Sequence, residues 1–291
     1  MALRILIVGG TRFIGAHAAR QLVETGAHVT VLHRGRSESP LLAGVRHIRD
    51  PRAAYPIAEY PDAVKADWDV VVHMILMGEA DARVAASAFE GRAGRLVMIS
   101  SGDVYRAYGR LTGQEPGPPE PMPLTEDAPL RSVLYPYRAR AKEMGADYAL
   151  DYEKILAERV TRAAAVPSVI LRLPKVHGPE DNGGLATIYA FARQPRWRWT
   201  HGHVENVAHA IVLAATHPAA PGHAYNVGEA VTPTMGERLA RLPAKGSGLP
   251  TPPFHYEQDL VYDTARIRTE LEFCEVLDEF AAMKALAEAN A

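Results

Sequence analysis

The residues with the clearest chemical meaning lie near the start of the chain, in the run GGTRFIG at 9–15. This run follows an apolar, strand-like segment and opens a segment of helical pattern. A helix N-terminus favours an anionic phosphate, and glycines let the backbone turn tightly and approach it. The spacing therefore predicts a turn that binds the phosphates of a dinucleotide, formed by Gly9, Gly10, Thr11, Arg12, Phe13, Ile14 and Gly15.

Basic side chains surround this turn in the sequence. Arg12 stands where the dinucleotide fingerprint has its second glycine, and the next strand pattern ends in LHRGRS. His33 holds the position at which an NAD site places an acidic residue for the ribose 2′-hydroxyl, and Arg34 and Arg36 follow it. The planar guanidinium suits a phosphate. We therefore expect NADP(H) to be favoured over NAD(H). The alternative is that Arg34 and Arg36 only solvate a surface loop.

Alternating strand and helix patterns position these residues. Their order predicts an α/β fold, a doubly wound, mostly parallel Rossmann sheet with a small C-terminal substrate lobe. We place the dinucleotide-binding domain at 1–175, with 201–228 returning to it, and the lobe at 176–291, mainly in 176–200 and 229–291. Strand patterns lie at 4–10, 27–34, 44–50, 69–76, 95–102, 168–176 and 223–229, and helical patterns at 17–26, 80–91 and 149–164, with a short strand and a helix within 196–218. The connection from 106 to 137 exceeds the usual length, and we interpret it as a lid.

Composition excludes several classes of protein. The chain of 291 residues is 47% apolar and 23% charged, as an ordinary globular protein is. A formal net charge of −2 gives no overall attraction to nucleic acid or to an anionic membrane. No apolar run approaches the roughly 20 residues of a membrane span. Cys274 is the only cysteine, so no intrachain disulfide can form. The start, MALRILIVGG, does not have the pattern of a secretory leader, and we expect a cytoplasmic location.

Several motifs, in order, resemble those of the extended short-chain dehydrogenase/reductase superfamily, in its branch of NAD(P)-dependent epimerases and dehydratases. They are GGTRFIG, RD at 49–50, DVVVHMIL at 69–76, RLVMISSGDVY at 95–105, KILAER at 154–159, LRLPKVHGPED at 171–181, HVENVAHAI at 203–211 and YNVG at 225–228. The resemblance covers nearly the whole chain. It implies further cofactor contacts from Asp50, which would approach the adenine, and from Met74, Ile75, Leu76, Ser100, Lys154, Pro174 and Val176.

The resemblance also implies a catalytic set of Ser, Tyr and Lys, in which the Tyr transfers a proton and the Lys lowers its pKa. Ser101 and Lys154 fall at the Ser and Lys positions. The Tyr position, four residues before Lys154, holds Leu150. Tyr148 and Tyr152 flank it, but in a helix a step of two residues turns a side chain about 200° away. We therefore expect an atypical site that lacks the family's Tyr, and we give a structural role to the more distant candidates Tyr105, Tyr108, Tyr135, Tyr137 and His177.

Two other clusters invite a functional interpretation. His201, His203 and Glu205 are types that bind zinc, but His203 matches a family landmark at a helix start, and we predict no metal site. RWRW at 196–199 alternates cations and tryptophans, as a surface for single-stranded nucleic acid does. The same alternation is typical of a strand with one buried face, and we favour that interpretation.

The most specific function that these features support is an NADP(H)-binding, epimerase/dehydratase-like oxidoreductase with an atypical active site. Its substrate would be a small polar molecule, carbonyl or sugar-like, whose identity stays open. One alternative is a non-catalytic NADP(H)-binding sensor or scaffold. Another is an RNA-binding protein on the same fold, because the turn and the missing Tyr resemble a divergent subgroup that includes chloroplast stem-loop RNA-binding proteins; the net charge argues against it. Relatives in this superfamily often pair through two helices, so a homodimer is a further expectation.

Overall fold

A computed structural model describes residues 2–145, 147–180, 185–246 and 248–289. The last residue of the motif at 171–181 therefore lies outside the described residues. The strands are β1 Arg4–Val8, β2 His28–His33, β3 Arg46–Arg49, β4 Val70–His73, β5 Leu96–Ser101, β6 Ser168–Leu173, β7 Lys175–His177, β8 His201–His203 and β9 Ala224–Asn226. The helices are α1 Phe13–Glu24, α2 Glu79–Phe89, α3 Arg106–Leu111, α4 Ala141–Met144, α5 Lys154–Ala163, α6 Ala186–Tyr189, α7 Val204–Thr216, α8 Met235–Leu239, α9 Ala265–Glu270 and α10 Glu279–Ala289.

The central sheet has seven strands in the order β3-β2-β1-β4-β5-β6-β9. β1 pairs in parallel with β2 on one side and with β4 on the other, so the strand order reverses at β1. The side chains of Ile5, Leu6, Ile7 and Val8 are completely buried, as expected for a strand covered on both faces. Helices flank the sheet. The predicted α/β class with a doubly wound, mostly parallel Rossmann sheet is confirmed, and the reversal at β1 marks the edge where such sheets bind ligands.

The chain divides into two compact units, each built from three segments. The first comprises 1–101, 134–172 and 208–225, and it holds most of the central sheet. The second comprises 102–133, 173–207 and 226–291, and it holds the two-stranded sheet β7-β8. Residues 102–133 belong to this second unit, although they fall within the range 1–175 that we expected for the dinucleotide-binding domain. Within the described ranges, no helix has the length and apolar character needed to cross a bilayer.

The helix that we predicted at 149–164 is shorter than its pattern indicates, and this changes the geometry of the site. α5 begins only at Lys154, and the preceding Asp147–Leu150 is a separate 3-10 turn. The cause is Glu153, whose backbone is extended and whose carboxylate accepts the Ile155 N–H at 2.9 Å. A side chain that accepts from a free N–H of the first turn ends the helix at that point. Leu150 and Lys154 therefore do not lie one turn apart on one helix.

The long connection at 106–137 is more ordered than its Pro-rich composition suggests. It contains the helix α3, and Glu115 accepts hydrogen bonds from the Ser132 N–H at 2.5 Å and the Val133 N–H at 2.8 Å. Arg106 forms a bidentate pair with Glu120, at 2.8 and 3.0 Å. These bonds join the middle of the connection to residues near its two ends. The role of the connection as a lid stays a prediction.

The alternation in RWRW is that of one buried face. Trp197 is only 2% exposed and packs on Phe191, whereas the Arg198 side chain is 44% exposed and binds Asp259 at 2.8 Å. Arg198 and Trp199 form isolated bridges rather than a continuous strand. The strand that we favoured for this run does not form as a continuous element, although its alternation still separates the buried Trp197 and the half-buried Trp199 from the exposed arginines.

Candidate cofactor-binding site

The glycine turn has a backbone that only small residues fit. Gly9 has φ +83, and its N–H donates to the Leu32 carbonyl at 2.9 Å, which ties the turn to the end of β2. A Cβ on Gly9 would lie 2.8 Å from the Ile75 side chain, and a Cβ on Gly15 would lie 2.6 Å from the Gly10 Cα. The start of α1 therefore lies directly against the turn. The three glycines keep open the close approach that a pyrophosphate needs.

The first turn of α1 can face an anion. It contains no acidic residue, and no side chain caps it, because the N-cap residue is Arg12, which makes no capping hydrogen bond. No side chain therefore competes with an anion at this helix start, although the Gly15 N–H donates to the Arg12 carbonyl at 3.2 Å. Phe13 has φ +44, a left-handed conformation that costs a bulky residue of order 1 kcal/mol or more. Strain of this kind is typical of a functional turn. These features fit a dinucleotide phosphate.

The position at the end of β2 holds a neutral imidazole rather than a carboxylate. His33 is buried, its Nδ1 accepts the Gly35 N–H at 3.3 Å, and its Nε2 lies 2.9 Å from the His47 Nδ1 on β3. The Nε2 therefore carries the hydrogen and donates it to His47. Burial, reinforced by the neighbouring His47 and Arg49, lowers the pKa of His33. The ring is directed into the β2–β3 pair.

The loop after β2 carries exposed cations. Arg34 and Arg36 are exposed, and across the described part of the chain neither forms an ion pair. Arg12 is also exposed. A hydrogen bond of 2.9 Å between the hydroxyls of Thr11 and Ser37 joins the loop of Arg12 to the loop after β2. The structure thus brings together the two loops that the sequence predicted to act jointly.

Two ion pairs near this loop, Glu38–Arg49 and Asp50–Arg52, were not predicted from the sequence. Glu38, the first carboxylate after β2, binds Arg49 at 2.6 Å. Asp50, which we expected to approach the adenine, binds Arg52 through both of its oxygens, at 2.7 and 3.0 Å. The hydrogen bonds from Arg52 lower the pKa of Asp50 to about 2. Arg49 lies on β3, so its pairing with Glu38 could be predicted only from the β2–β3 register, whereas Arg52 lies two residues after Asp50 and its pairing is local.

The residues after β4 lie against the glycine turn. The Met74 N–H donates to the Val8 carbonyl at 3.0 Å, and the Ile75 side chain is the neighbour of Gly9 described above. Leu76 is buried, and its carbonyl accepts a hydrogen bond from Lys154. The predicted contacts Met74, Ile75 and Leu76 thus share one edge of the sheet with the turn.

Lys154 is held at the carboxyl ends of two strands. It is 5% exposed, and its Nζ donates to the Leu76 carbonyl at 2.6 Å and to the Ile99 carbonyl at 2.8 Å. The half-buried Ser101 ends β5 nearby in sequence. This places the ammonium at the end of β4 and β5, on the edge of the sheet where the turn also lies.

Ser100 belongs to a buried polar network. Its hydroxyl donates to Glu158 at 2.6 Å, and Glu158 binds Arg172 at 2.8 Å. Burial alone would raise the pKa of Glu158, but the hydrogen bond and charge of Arg172 hold it below its ordinary value. The Ser100 hydroxyl therefore has a structural partner, and its contact with a cofactor stays a prediction.

The remaining predicted residues belong to the second unit. Pro174 lies against Gly202, and Val176 pairs with Gly202 in the parallel β7-β8 sheet. The Tyr105 hydroxyl donates to Asn226 at 2.6 Å, and the His177 Nε2 binds Glu279 at 3.0 Å. In the described ranges, no group of three or more His, Cys, Asp or Glu residues could hold a metal ion.

The surroundings of Lys154 correct one prediction. Leu150 is 47% exposed on its 3-10 turn. Tyr152, which we placed on the far side of a helix, lies in a non-helical segment, and its ring centroid is 5.7 Å from the Lys154 Nζ. The expected rotation of 200° does not apply, because no helix connects the two residues.

A parallel sheet whose strand order reverses at β1, with a glycine turn at that point, is the architecture of a Rossmann-type dinucleotide-binding protein. The family model of the NAD dependent epimerase/dehydratase family matches residues 5–228. The chain therefore belongs to the NAD dependent epimerase/dehydratase family.

Curated relatives agree with this assignment. The chain is 32% identical over 196 residues to the 2′-dehydrokanamycin reductase of Streptomyces kanamyceticus, a match that covers 63% of this chain and 46% of that protein. It is 25% identical over 201 residues to a UDP-glucose 4-epimerase of Lactobacillus helveticus, which covers 65% and 56% of the two chains. The chain thus spans about half the length of the curated relatives it matches.

Solved structures share the fold. The UDP-glucuronic acid 4-epimerase of Bacillus cereus, in complex with UDP-glucuronic acid and NAD, is similar with a TM-score of 0.71 and 15% identity over 98% of both chains. The UDP-glucose 4-epimerase of Thermotoga maritima is similar with a TM-score of 0.67 and 14% identity, again over 98% of both chains. At 14–15% identity, this similarity shows a shared fold.

Proposed function

We propose that this chain is an NADP(H)-binding, epimerase/dehydratase-like oxidoreductase that acts on a small polar, carbonyl or sugar-like substrate. The observation that carries the cofactor preference is the end of β2. There the His33 ring faces His47, and the first carboxylate, Glu38, is bound by Arg49. No acidic group takes the position that would accept from a ribose 2′-hydroxyl, whereas the exposed Arg34 and Arg36 suit a 2′-phosphate.

Different residues of the first unit would bind different parts of such a cofactor. The glycine turn and the start of α1 would bind the pyrophosphate, and Arg12, Arg34 and Arg36 would bind the 2′-phosphate. Lys154, fixed by two carbonyls, would bind the nicotinamide ribose. When bound, the nicotinamide supplies hydride transfer.

The proposal is tested by comparing two cofactors in three variants. Arg12→Ala and Arg34→Ala remove a charge-assisted contact to the 2′-phosphate, and we expect each to weaken NADPH binding by about tenfold or more while NADH binding changes little. Isothermal titration gives both dissociation constants. Arg46→Ala is the matched control. This exposed arginine is the first residue of β3, so it lies at the amino ends of the strands, whereas the glycine turn lies at their carboxyl ends. Equal losses for both cofactors, or none, would remove the 2′-phosphate assignment.

One observation favours a second candidate, a non-catalytic NADP(H)-binding sensor. The position of the family's Tyr holds Leu150, which lies exposed on a separate 3-10 turn. Tight NADPH binding without any oxidation of NADPH across a broad panel of carbonyl compounds is the outcome that this candidate requires.

A further inference from the structure

The loop after β2 holds a single carboxylate close to the glycine turn. Between His33 and Asp50 the sequence contains one acidic residue, Glu38. The hydroxyl of its neighbour Ser37 shares a 2.9 Å hydrogen bond with the hydroxyl of Thr11 in the glycine turn. Glu38 therefore lies one residue from a contact with the turn, in the loop that follows the strand at whose end a dinucleotide site of this fold binds the ribose 2′-hydroxyl.

Arg49 binds this carboxylate from the neighbouring strand. Its Nη2 lies 2.6 Å from the Oε1 of Glu38, and β3 pairs in parallel with β2. The stem of the Arg49 side chain also lies against the basic loop, because a Cβ on Gly35 would be 3.9 Å from the Arg49 Cδ. Gly35 separates Arg34 from Arg36 in the sequence. The pair of Arg49 with Glu38 is therefore part of the same loop as the predicted ligands of the 2′-phosphate.

The pair determines how the Glu38 charge acts on a cofactor. The hydrogen bond and charge of Arg49 lower the pKa of Glu38, so its carboxylate is ionised at neutral pH. An ionised carboxylate accepts from a ribose 2′-hydroxyl but repels a 2′-phosphate. In the pair, its Oε1 is occupied and its charge is balanced. The two side chains are 55% and 67% exposed, so changing either of them should have little effect on the fold.

We propose that Arg49 is a positioning residue for cofactor selection, which acts by holding Glu38. The pair keeps the carboxylate of the loop away from a ribose 2′-hydroxyl and balances the charge that would repel a 2′-phosphate. The ligand class that it favours is a dinucleotide phosphorylated at the ribose 2′ position. This inference rests on the proposed NADP(H)-dependent function and assigns to β3 a part in it.

The test is a double-mutant cycle in which isothermal titration measures the dissociation constants of NADPH and NADH. Arg49→Ala releases an ionised Glu38. We expect it to tighten NADH binding and to weaken NADPH binding, each by about threefold or more, which is within the range of one exposed ion pair. In the Glu38→Gln background, Arg49→Ala should no longer tighten NADH binding. Glu38→Gln alone should not weaken NADPH binding, because Glu38 is not a ligand of the 2′-phosphate.

Arg46→Ala is the matched control, because it removes an exposed arginine from the other end of the same strand. It should change neither dissociation constant by more than about twofold. Changes of opposite sign for the two cofactors also exclude a general loss of structure, which would weaken both.

Two results would overturn the assignment of Arg49. One is a NADH affinity that is unchanged or lowered in Arg49→Ala, as a direct ligand of the 2′-phosphate would give. The other is a gain in NADH affinity that persists in the Glu38→Gln background, since the effect would then not pass through Glu38.

Failure of this inference can be distinguished from failure of the proposed function. If the wild type binds neither cofactor, or binds NADH more tightly than NADPH, the proposed NADP(H) dependence fails and this inference fails with it. If the wild type prefers NADPH and Arg34→Ala reduces that preference, while Arg49→Ala leaves NADH binding unchanged, only the assignment of Arg49 fails.

Discussion

At the scale of single residues, backbone contacts leave no room for a side chain at Gly15 of the glycine turn, because backbone atoms cannot move aside as a flexible side chain can. A methyl group on Gly15 would meet the Gly10 Cα at 2.6 Å. We expect Gly15→Ala to push α1 away from the turn, to destabilise the protein by about 1–3 kcal/mol, and to weaken NADPH binding. Thermal unfolding and titration with NADPH measure the two effects. Gly246→Ala is the control, because a Cβ there would meet open space; similar losses in both variants would contradict the steric argument.

The sequence predicted those features of the candidate site that depend only on residues close together in the chain. The glycine turn follows from its spacing, and the cations Arg34 and Arg36 follow from their place after a strand. The local pair of Asp50 with Arg52 was not predicted. The pairing of His47 with His33 and of Arg49 with Glu38 was not predicted either, because it depends on how β3 lies against β2. A single sequence without the register does not contain that information.

Tyr152 was misjudged for a related physical reason. The residues around it have a helical pattern, and the family's Lys-x-x-x-Glu motif supports a helix. Glu153, however, caps the helix one residue before Lys154, and glutamate is not a strong sequence signal for a cap. A correct capping assignment would have shown that no helix connects Tyr152 to Lys154.

At the scale of elements, strands were predicted better than helix ends. Strands such as β4, buried along its whole length, are recognised by continuous apolar runs. Helix ends depend on one or two capping contacts, as the start of α5 shows. The 3-10 turns and the helix α3 within the long connection gave no periodic signal, because they are too short for one.

The start of α5 gives a prediction at this scale. Glu153 is completely buried, and its carboxylate accepts from Ile155 N–H at 2.9 Å and from Tyr135 N–H at 2.5 Å. Removing it leaves both donors without this acceptor. We expect Glu153→Ala to lower the free energy of unfolding by about 1–3 kcal/mol in a urea titration.

The matched control for this prediction is Glu143→Ala. Glu143 lies in the first turn of α4, and its side chain is 72% exposed. A surface change of this kind should alter the free energy of unfolding by no more than about 0.5 kcal/mol. A loss in Glu143→Ala as large as that in Glu153→Ala would show that the cap does not fix the start of α5.

At the scale of the whole molecule, each unit draws on three separate parts of the chain. Its stability therefore depends on contacts between residues far apart in sequence, which periodicity does not reveal. The pairing of Glu279 with His177, across 102 residues, is one example. Homodimer formation and a cytoplasmic location, both expected from the sequence, stay predictions.

Glu279 links the last helix to the rest of the second unit. It begins α10, and its carboxylate accepts from the His203 N–H at 2.7 Å, from the Asn206 amide at 2.8 Å and from His177 at 3.0 Å. Burial alone would raise the pKa of Glu279, but these donors, His177 first, hold it below its ordinary value. A carboxylate with a depressed pKa stabilises the fold above its unfolded pKa of about 4.3, and this contribution is lost as the pH falls through the folded pKa.

We therefore expect Glu279→Gln to be less stable than the wild type at neutral pH, by about 1–3 kcal/mol, because hydrogen bonds to a charged acceptor are stronger than those to an amide. The difference should shrink as the pH falls below about 4, where the wild-type carboxylate becomes protonated and the glutamine does not change. Urea unfolding measured across this pH range tests both statements. Glu288→Gln is the control, since Glu288 lies on the same helix with its side chain 57% exposed and only a 3.8 Å pair with Lys284. A pH-independent loss in Glu279→Gln would mean that packing, rather than the charge of Glu279, holds α10 in place.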